Sequence, residues 1–365
     1  MAVKIGVARE TAAGERRVAL TPETCRKLVA AGGTLTVERG LGAQAYFSDA
    51  AYEAAGAALA ETAAAALSGA DIVLCVQPPG EASLLALAEG TTLVGMLQPE
   101  ADAVRAAAIT ARRLQTFSLE RLPRTTRAQA MDVLSSQAGM AGYKAVLLGA
   151  QLAPRFFPML TTAAGTIRPS RVLIIGAGVA GLQAVATARR LGAQVECFDV
   201  RPETREQVAS LGAKFLDLGV SASGAGGYAR QLTEDERAEQ QRRLGEHLKN
   251  VDVIVCTAAV PGRSAPRIVT SAMMEGMAPG SVIVDLAAET GGNCEATVPG
   301  ETIVHGGVTV AGPRDLASSG SLHASEMYAR NVFHFVSLLV RDGALSLDWS
   351  DELLSTTVWP PRPAG

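Results

Sequence analysis

Residues 171–199 read RVLIIGAGVAGLQAVATARRLGAQVECFD, and this stretch decides the fold. An apolar run rich in β-branched residues leads into Gly176-x-Gly178-x-x-Gly181, a helix-forming segment follows without a break, and a second apolar run ends in Asp199. Gly176 permits a tight turn, Gly178 leaves the backbone bare for a pyrophosphate, and Gly181 lets the helix pack close to the strand. The positive end of the helix then faces the phosphates. An acid at the end of the second strand can accept both hydroxyls of an adenosine ribose and repels a 2′-phosphate, which points to NAD(H) rather than NADP(H). Arg201, two residues on, is of the type that accommodates such a phosphate. The alternative is a tight strand-to-helix turn with no ligand.

Outward from this unit, strand-like and helical segments alternate along most of the chain. Before it, KIGVA, TLTVE, DIVLCV, TTLVGML and LQTFSL read as strands, separated by Ala-rich helical stretches. Thr21 followed by Pro22 starts the first helix and the pair Gly32–Gly33 stops it. A long helical pattern covers about 130–153, TIRPS interrupts, and strands RVLIIG, QVECFD, AKFLDL, DVIVCT, SVIVDLA and VTVAG follow. After Gly312 the chain turns helical again and ends in a Pro-rich tail. The expected class is α/β, with two domains that each carry a mostly parallel sheet, the second a Rossmann fold, joined by long helices. The first domain is expected over residues 1–133 plus 320–365, since so apolar a last helix needs a surface to bury against. The nucleotide domain is expected over 145–312.

The bulk numbers agree. A length of 365 residues suggests about two domains, and 48% hydrophobic with 19% charged residues supports real cores. A net charge of −3 without a basic block argues against a nucleic-acid surface. Cys25, Cys75, Cys197, Cys256 and Cys294 are odd in number, scattered and without a CxxC pair. They read as reduced thiols of a cytoplasmic protein, with neither a disulfide frame nor a metal site. The start MAVKIGVARE has no signal-peptide core, and no apolar run reaches the roughly 18 residues of a membrane span.

Two polar stretches stand apart. GVSASGAGGYARQ, residues 219–231, follows the third strand of the nucleotide domain and is either a surface connection or a lid with Tyr228 over the nucleotide. Thr233 and Glu236 behind it form a capping box. RTTRAQAMDVLSSQAG, residues 124–139, gathers Arg124, Gln129, Asp132 and Ser135 at a helix opening. It is either a solvated cap or a site. The spacing of three puts Gln129, Asp132 and Ser135 on one broad helix face, and Arg124 and Asp132 can form a charge-assisted pair.

RPSRVLIIGAGVAGLQAVATARRLGAQVECFDVR, GGYARQ, CTAAVPGRSAP and VDLAAETGGN together resemble the NAD(H)-binding domain I of proton-translocating nicotinamide nucleotide transhydrogenase. KIGVARETAAGERRVALTPET resembles the same family and its relative, alanine dehydrogenase. The resemblance implies that Arg124 binds the nicotinamide carboxamide, that Asp132 pairs with Arg124, that Ser135 fixes the ring, and that Gln129 reaches toward the partner nucleotide. It makes Gly176, Gly178, Val179, Ala180, Gly181, Asp199, Val200, Arg201, Gly227, Tyr228, Gln240, Thr257 and Ala259 nucleotide contacts. It also implies a homodimer, peripheral to the inner face of the cell membrane. NADP(H) would be held on a separate subunit, the membrane span would lie in another, and a hydride would pass from NADH to NADP+. Alanine dehydrogenase differs at the site. It has a proton-handling lysine and histidine where this chain has Gln77 and Gln98, and a catalytic Asp where this chain has Glu289. His247, His305, His323 and His334 lie in no motif of known chemistry. An alanine dehydrogenase-like enzyme and a non-catalytic NAD-binding module remain the alternative readings.

Overall fold

The computed structural model describes residues 2–222, 230–259 and 264–361. Two compact units divide the chain, residues 1–137 with 318–365 and residues 138–317. Each is built on a seven-stranded, mostly parallel sheet. The two α/β domains are those that the alternation of strands and helices predicts.

The first unit contains β1 (Lys4–Val7), β2 (Thr34–Glu38), β3 (Ala58–Ala60), β4 (Ile72–Leu74), β5 (Thr92–Gly95) and β6 (Gln115–Ser118). They are parallel, in the order 6-5-4-1-2-3, so the order reverses between β1 and β4. Strands β4 and β5 are buried along their whole length, as expected for a parallel sheet covered on both faces. The strand Val358–Trp359 adds antiparallel to the outer edge of β6. Neither β3 nor this last strand is legible in the sequence, since one reads Ala-Leu-Ala and the other is two residues before a proline.

Helix Pro22–Ala30 opens as expected, with Thr21 and Thr24 forming a reciprocal cap and proline in its first turn, and Gly32 beyond its end has φ +90°. Helix Ser321–Leu339 supplies Tyr328, Val332, Phe335, Val336 and Leu339 to the core of this unit, beside Ile5, Val37, Leu74 and Phe117. The rings of Phe117 and Phe335 lie 5.4 Å apart at 57°, a tilted pairing favoured by aromatic quadrupoles.

The second unit begins within helix Val133–Leu152. A hairpin follows, β7 (Leu160–Thr162) and β8 (Gly165–Ile167), which the sequence reading takes as a plain interruption. The sheet holds β9 (Arg171–Ile175), β10 (Gln194–Phe198), β11 (Lys214–Phe215), β12 (Val253–Cys256), β13 (Val282–Asp285), β14 (Thr302–His305) and β15 (Val308–Ala311). Its order is 11-10-9-12-13-15-14, the Rossmann order with a hairpin at one edge. Strand β14 is absent from the sequence reading. His305 pairs with Val308 across Gly306 and Gly307, both at positive φ, where two glycines make the tight hairpin turn.

Backbone meets backbone where helix Val133–Leu152 passes the glycine-motif helix. A Cβ on Gly142 would lie 2.0 Å from the carbonyl oxygen of Ala180, closer than any side chain tolerates. Gly139, one turn earlier, faces open space within 4 Å. Gly142→Ala should therefore lower the thermal stability by about 1–3 kcal/mol through overpacking. Gly139→Ala should instead leave it unchanged or raise it by up to about 1 kcal/mol through helix propensity. Thermal unfolding of the two variants side by side checks this, and equal effects would contradict the packing described.

Candidate nucleotide site

The strand β9, the glycine turn and helix Val179–Arg190 are shaped by the absence of side chains. Gly176 has φ +98°, a region costly for any residue with a Cβ. A Cβ on Gly181 would sit 1.7 Å from the Gly176 carbonyl oxygen, so helix and turn touch directly. Nothing lies within 4 Å of a Cβ at Gly178, which leaves its backbone open to an approaching group. Gly178 is the N-cap and supplies no side-chain acceptor. The first-turn N–H groups are thus left without a side-chain cap at the positive end of the helix. These features fit a pyrophosphate. Val179 is exposed beside them and Ala180 half-buried.

Asp199 follows the last residue of β10 and is only 8% exposed. Its carboxylate accepts the Ala177 N–H at 2.7 Å, the Arg201 backbone N–H at 2.9 Å, and Arg201 Nε and Nη2 at 2.9 and 2.7 Å. It ties the glycine turn to the strand exit beside it. Four donors match the roughly four acceptor positions of a carboxylate. A ribose would therefore take the place of Arg201 side-chain donors. Arg201 is held by the acid that reads the ribose, a coupling that spacing alone does not reveal.

On the other side of the turn, the Thr257 hydroxyl donates to the carbonyl oxygens of Ile175 (3.0 Å) and Gly176 (2.9 Å). Val200 is half-buried against a core cluster and Ala259 is exposed. Gln240 is 4% exposed and lies on the helix face that carries the buried Leu244 and Leu248. Thr233 and Glu236 form the expected capping box at the start of that helix. Gly227 and Tyr228, with most of the lid segment, lie outside the described residues.

In the first unit the stretch from Arg124 to Ser135 is not one helix. Gln129–Met131 is a single 3-10 turn, Asp132 leaves helical geometry at φ −72°, ψ 89°, and the long helix begins at Val133. Gln129 and Ser135 therefore stand on different elements, and the shared helix face expected for them does not form. The Asp132 carboxylate accepts twice from Ser135, from the backbone N–H at 2.9 Å and from the hydroxyl at 2.5 Å. It caps the long helix. That local bond, and not an ion pair with Arg124, is what Asp132 makes among the described residues. Arg124 and Gln129 are exposed. Sequence reasoning missed what holds this stretch. Arg127 makes a two-point ion pair with Asp351, Asn331 Nδ2 donates to the Ala130 carbonyl at 2.7 Å, and Ala128 and Met131 are buried. The partners are about 200 residues away in sequence, so no local signal points to them.

A second polar cluster sits where the first sheet reverses, at the exits of β1 and β4. Glu10 accepts the Val76 and Gln77 backbone N–H groups at 2.6 and 3.1 Å. Arg17 is buried and its Nε bonds Glu15 at 2.8 Å, Nη2 bonds Glu15 at 2.5 Å, and Nη1 bonds Gln137 at 2.9 Å. The Gln77 amide donates to Glu15 at 3.0 Å. Burial pushes the Glu10 carboxyl up to about 7, against its two backbone donors. Burial also raises Glu15, but the hydrogen bonds and charge of Arg17 more than reverse that and hold it at about 2. All five cysteines are buried and unpaired. Among the described residues no cluster could hold a metal ion and no helix is long and apolar enough to cross a membrane.

Residues 6–141 match the family model described as alanine dehydrogenase/PNT, N-terminal domain, and residues 145–360 match alanine dehydrogenase/PNT, C-terminal domain. The chain is 44% identical over 344 residues to an NAD(P) transhydrogenase subunit alpha chain of Rhodospirillum rubrum, covering 92% of this chain and 90% of that one. It is 31% identical over 300 residues to alanine dehydrogenase of Halomonas elongata, covering 81% and 76%. The crystal structure of transhydrogenase from Sinorhizobium meliloti superposes with a TM-score of 0.89 at 41% identity, covering 98% of each chain.

The Glu10 carboxyl has a pH consequence. Its ordinary value is 4.5, so between 4.5 and about 7 the folded protein holds the proton more tightly than the unfolded chain. That contribution is full below pH 4.5 and is lost as pH rises through about 7. Glu10→Gln imitates the protonated form. Thermal melts at pH 5 and pH 8 should show a smaller loss of stability with rising pH in the variant than in the wild type. An unchanged pH difference would contradict the assignment.

Proposed function

The chain belongs to the alanine dehydrogenase/PNT family, and from that premise we propose that it is the NAD(H)-binding subunit of a proton-translocating transhydrogenase. It would exchange a hydride between NAD(H) on this chain and NADP(H) on a separate subunit, NADH to NADP+ being the direction written. It would work as a homodimer, docked to the inner face of the cell membrane through a membrane-spanning subunit.

The dinucleotide, when bound, supplies a hydride donor or acceptor at its nicotinamide ring. The residues of this chain hold and orient it. Gly176, Gly178 and Gly181 give the pyrophosphate access to the first turn of helix Val179–Arg190, with Val179 and Ala180 beside it. Asp199 accepts the hydroxyls of the adenosine ribose, with Val200 and Arg201 next to it, and Thr257 and Ala259 lie at the exit of β12. Gln240, Gly227 and Tyr228 complete the proposed contacts. Arg124, Gln129, Asp132 and Ser135 serve the nicotinamide end. The bond between Asp132 and Ser135 gives two of these a fixed mutual geometry.

One observation favours hydride exchange over amino-acid oxidation. An amino-acid dehydrogenase must bind a carboxylate and move a proton, which needs a cation and an acid/base group of matched pKa. In the first unit, the Arg17 guanidinium is neutralised by Glu15 and further bonded by Gln137, and the Gln77 amide is held by the same Glu15. Gln98 carries no titratable group. Transfer between two nicotinamides needs neither group, only positioning and exclusion of water.

The nucleotide preference follows from Asp199. Titration should show NADH bound much more tightly than NADPH, and Asp199→Ala should weaken NADH by about 1.5–3 kcal/mol through lost charge-assisted hydrogen bonds. Equal affinity for the two nucleotides would contradict the assignment.

The reaction is tested with the purified chain alone and with an NADP(H)-binding partner subunit. Alone it should bind NADH and oxidise no alanine; with the partner it should pass hydride between nucleotides. Arg124→Ala and Asp132→Asn should cut that rate on the order of a hundredfold, with a much smaller loss in NADH affinity, since a small misplacement at the nicotinamide end costs mostly rate. Full transfer rates in the Arg124 variant, or NAD-dependent alanine oxidation by the isolated chain, would overturn the reading.

A further inference from the structure

Asn293 is completely buried, at 0% exposure. A buried amide is costly unless each polar atom is paired, and here each is. Its Oδ1 accepts the Ala258 backbone N–H at 3.0 Å, and its Nδ2 donates to the Ala258 carbonyl at 2.7 Å and to the Pro266 carbonyl at 2.8 Å. Asn293 thus takes both polar groups of one residue, as a neighbouring strand would. Its own backbone is held in turn. The N–H donates to Asp285 Oδ2 at 2.7 Å, and the carbonyl accepts Ile268 and Val269 N–H at 2.8 and 2.9 Å.

Asp285, also at 0% exposure, ends β13 and accepts three further donors, Ala287 N–H, Cys294 N–H and the Thr297 hydroxyl, at 2.6–2.9 Å. An uncompensated buried carboxylate would be strongly destabilising. With four donors it becomes a rigid post under Asn293.

Ala258 stands at the exit of β12, in the crevice where the strand order turns from β9 to β12, the place where a doubly wound sheet binds its ligand. It touches the glycine turn, since a Cβ on Gly176 would lie 3.0 Å from the Ala258 nitrogen. Asp199 assigns the adenosine half to the β10 side, so the other half belongs beside Ala258. Resting on the reading of this unit as the dinucleotide site, we propose that Asn293 is a positioning residue for the nicotinamide half. It fixes the Ala258 peptide and its distance from Pro266, and withdraws the N–H and C=O of Ala258 from competition for ligand and water. Asp285 acts through it.

The test compares NADH with ADP, which lacks the nicotinamide half, on the full chain. Asn293→Asp keeps the shape and the acceptor for Ala258 but faces two carbonyls with an oxygen. NADH should weaken at least tenfold and ADP by less than twofold, with Asn293→Ser giving the same split. A parallel loss of both ligands, or no loss of either, overturns the proposal. Hydrogen exchange on the wild type needs no variant. The Ala258 amide should exchange as slowly as those of β12 without ligand, and NADH should slow it further where ADP does not. Fast exchange, or equal slowing by the two ligands, overturns it as well. A wild-type chain that binds neither NADH nor ADP would instead remove the nucleotide reading and leave the Asn293 geometry standing.

Discussion

The contact between Gly181 and the Gly176 carbonyl oxygen leaves no room for a single carbon, and the second unit is arranged around it. Because the helix can press against its own strand exit there, its first turn points into the crevice between β9 and β12. The Gly142 contact with Ala180 repeats the device on the other side of the helix. A helix clamped by backbone on two sides cannot drift, so the bare backbone at Gly178 is presented at a fixed place. Anion binding by N–H groups depends on such fixity more than on charge, since dipoles fall off within a turn.

Both units use carboxylates to fix strand exits. In the first, Glu38 accepts the Arg9 N–H, Glu10 those of Val76 and Gln77, and Glu120 those of Leu97 and Gln98. In the second, Asp199 accepts Ala177 and Asp285 accepts Asn293 and Cys294. At the opposite edge, Asp71 accepts the Lys4 N–H at the start of β1 and Asp252 the Arg171 N–H at the start of β9, both at 2.8 Å. The N–H groups that leave a parallel ladder have no strand partner, and a carboxylate is the strongest acceptor a short loop can offer. The two units thus share a strand order and a way of ending strands, yet differ in what fills the reversal point. No glycine motif follows β1, and the space is closed by Glu10, Glu15, Arg17 and Gln77. After β9, the glycines leave it open.

The fold class, the two alternating domains and the glycine turn with Asp199 at its far end were all legible in the sequence. Each rests on a local regularity. Apolar runs buried on both faces mark parallel strands, a proline after threonine marks a helix start, and glycines at set spacing mark a turn that only glycine can make. The short edge strands β3, β14 and Val358–Trp359 escaped, because a partner strand rather than local composition makes them strands. The helix break at Asp132 escaped for a related reason. Spacing by three suggested one face, while the side chain of Asp132 had a better use in capping the next helix through Ser135.

By itself, then, the sequence determined which backbone can bend, which faces must be buried and which kind of ligand the glycine turn admits, since these follow from the presence or absence of atoms on neighbouring residues. Only the tertiary structure decided what each polar group is for. Arg17 became half of a buried pair with Glu15, Arg127 an anchor to Asp351, and Asn293 a lock on Ala258. The Glu10 carboxyl was lifted to about 7 by its surroundings. Hydrogen bonds and desolvation act over a few ångströms, and residues that close in space are set by the packing of sheets and helices, not by distance along the chain.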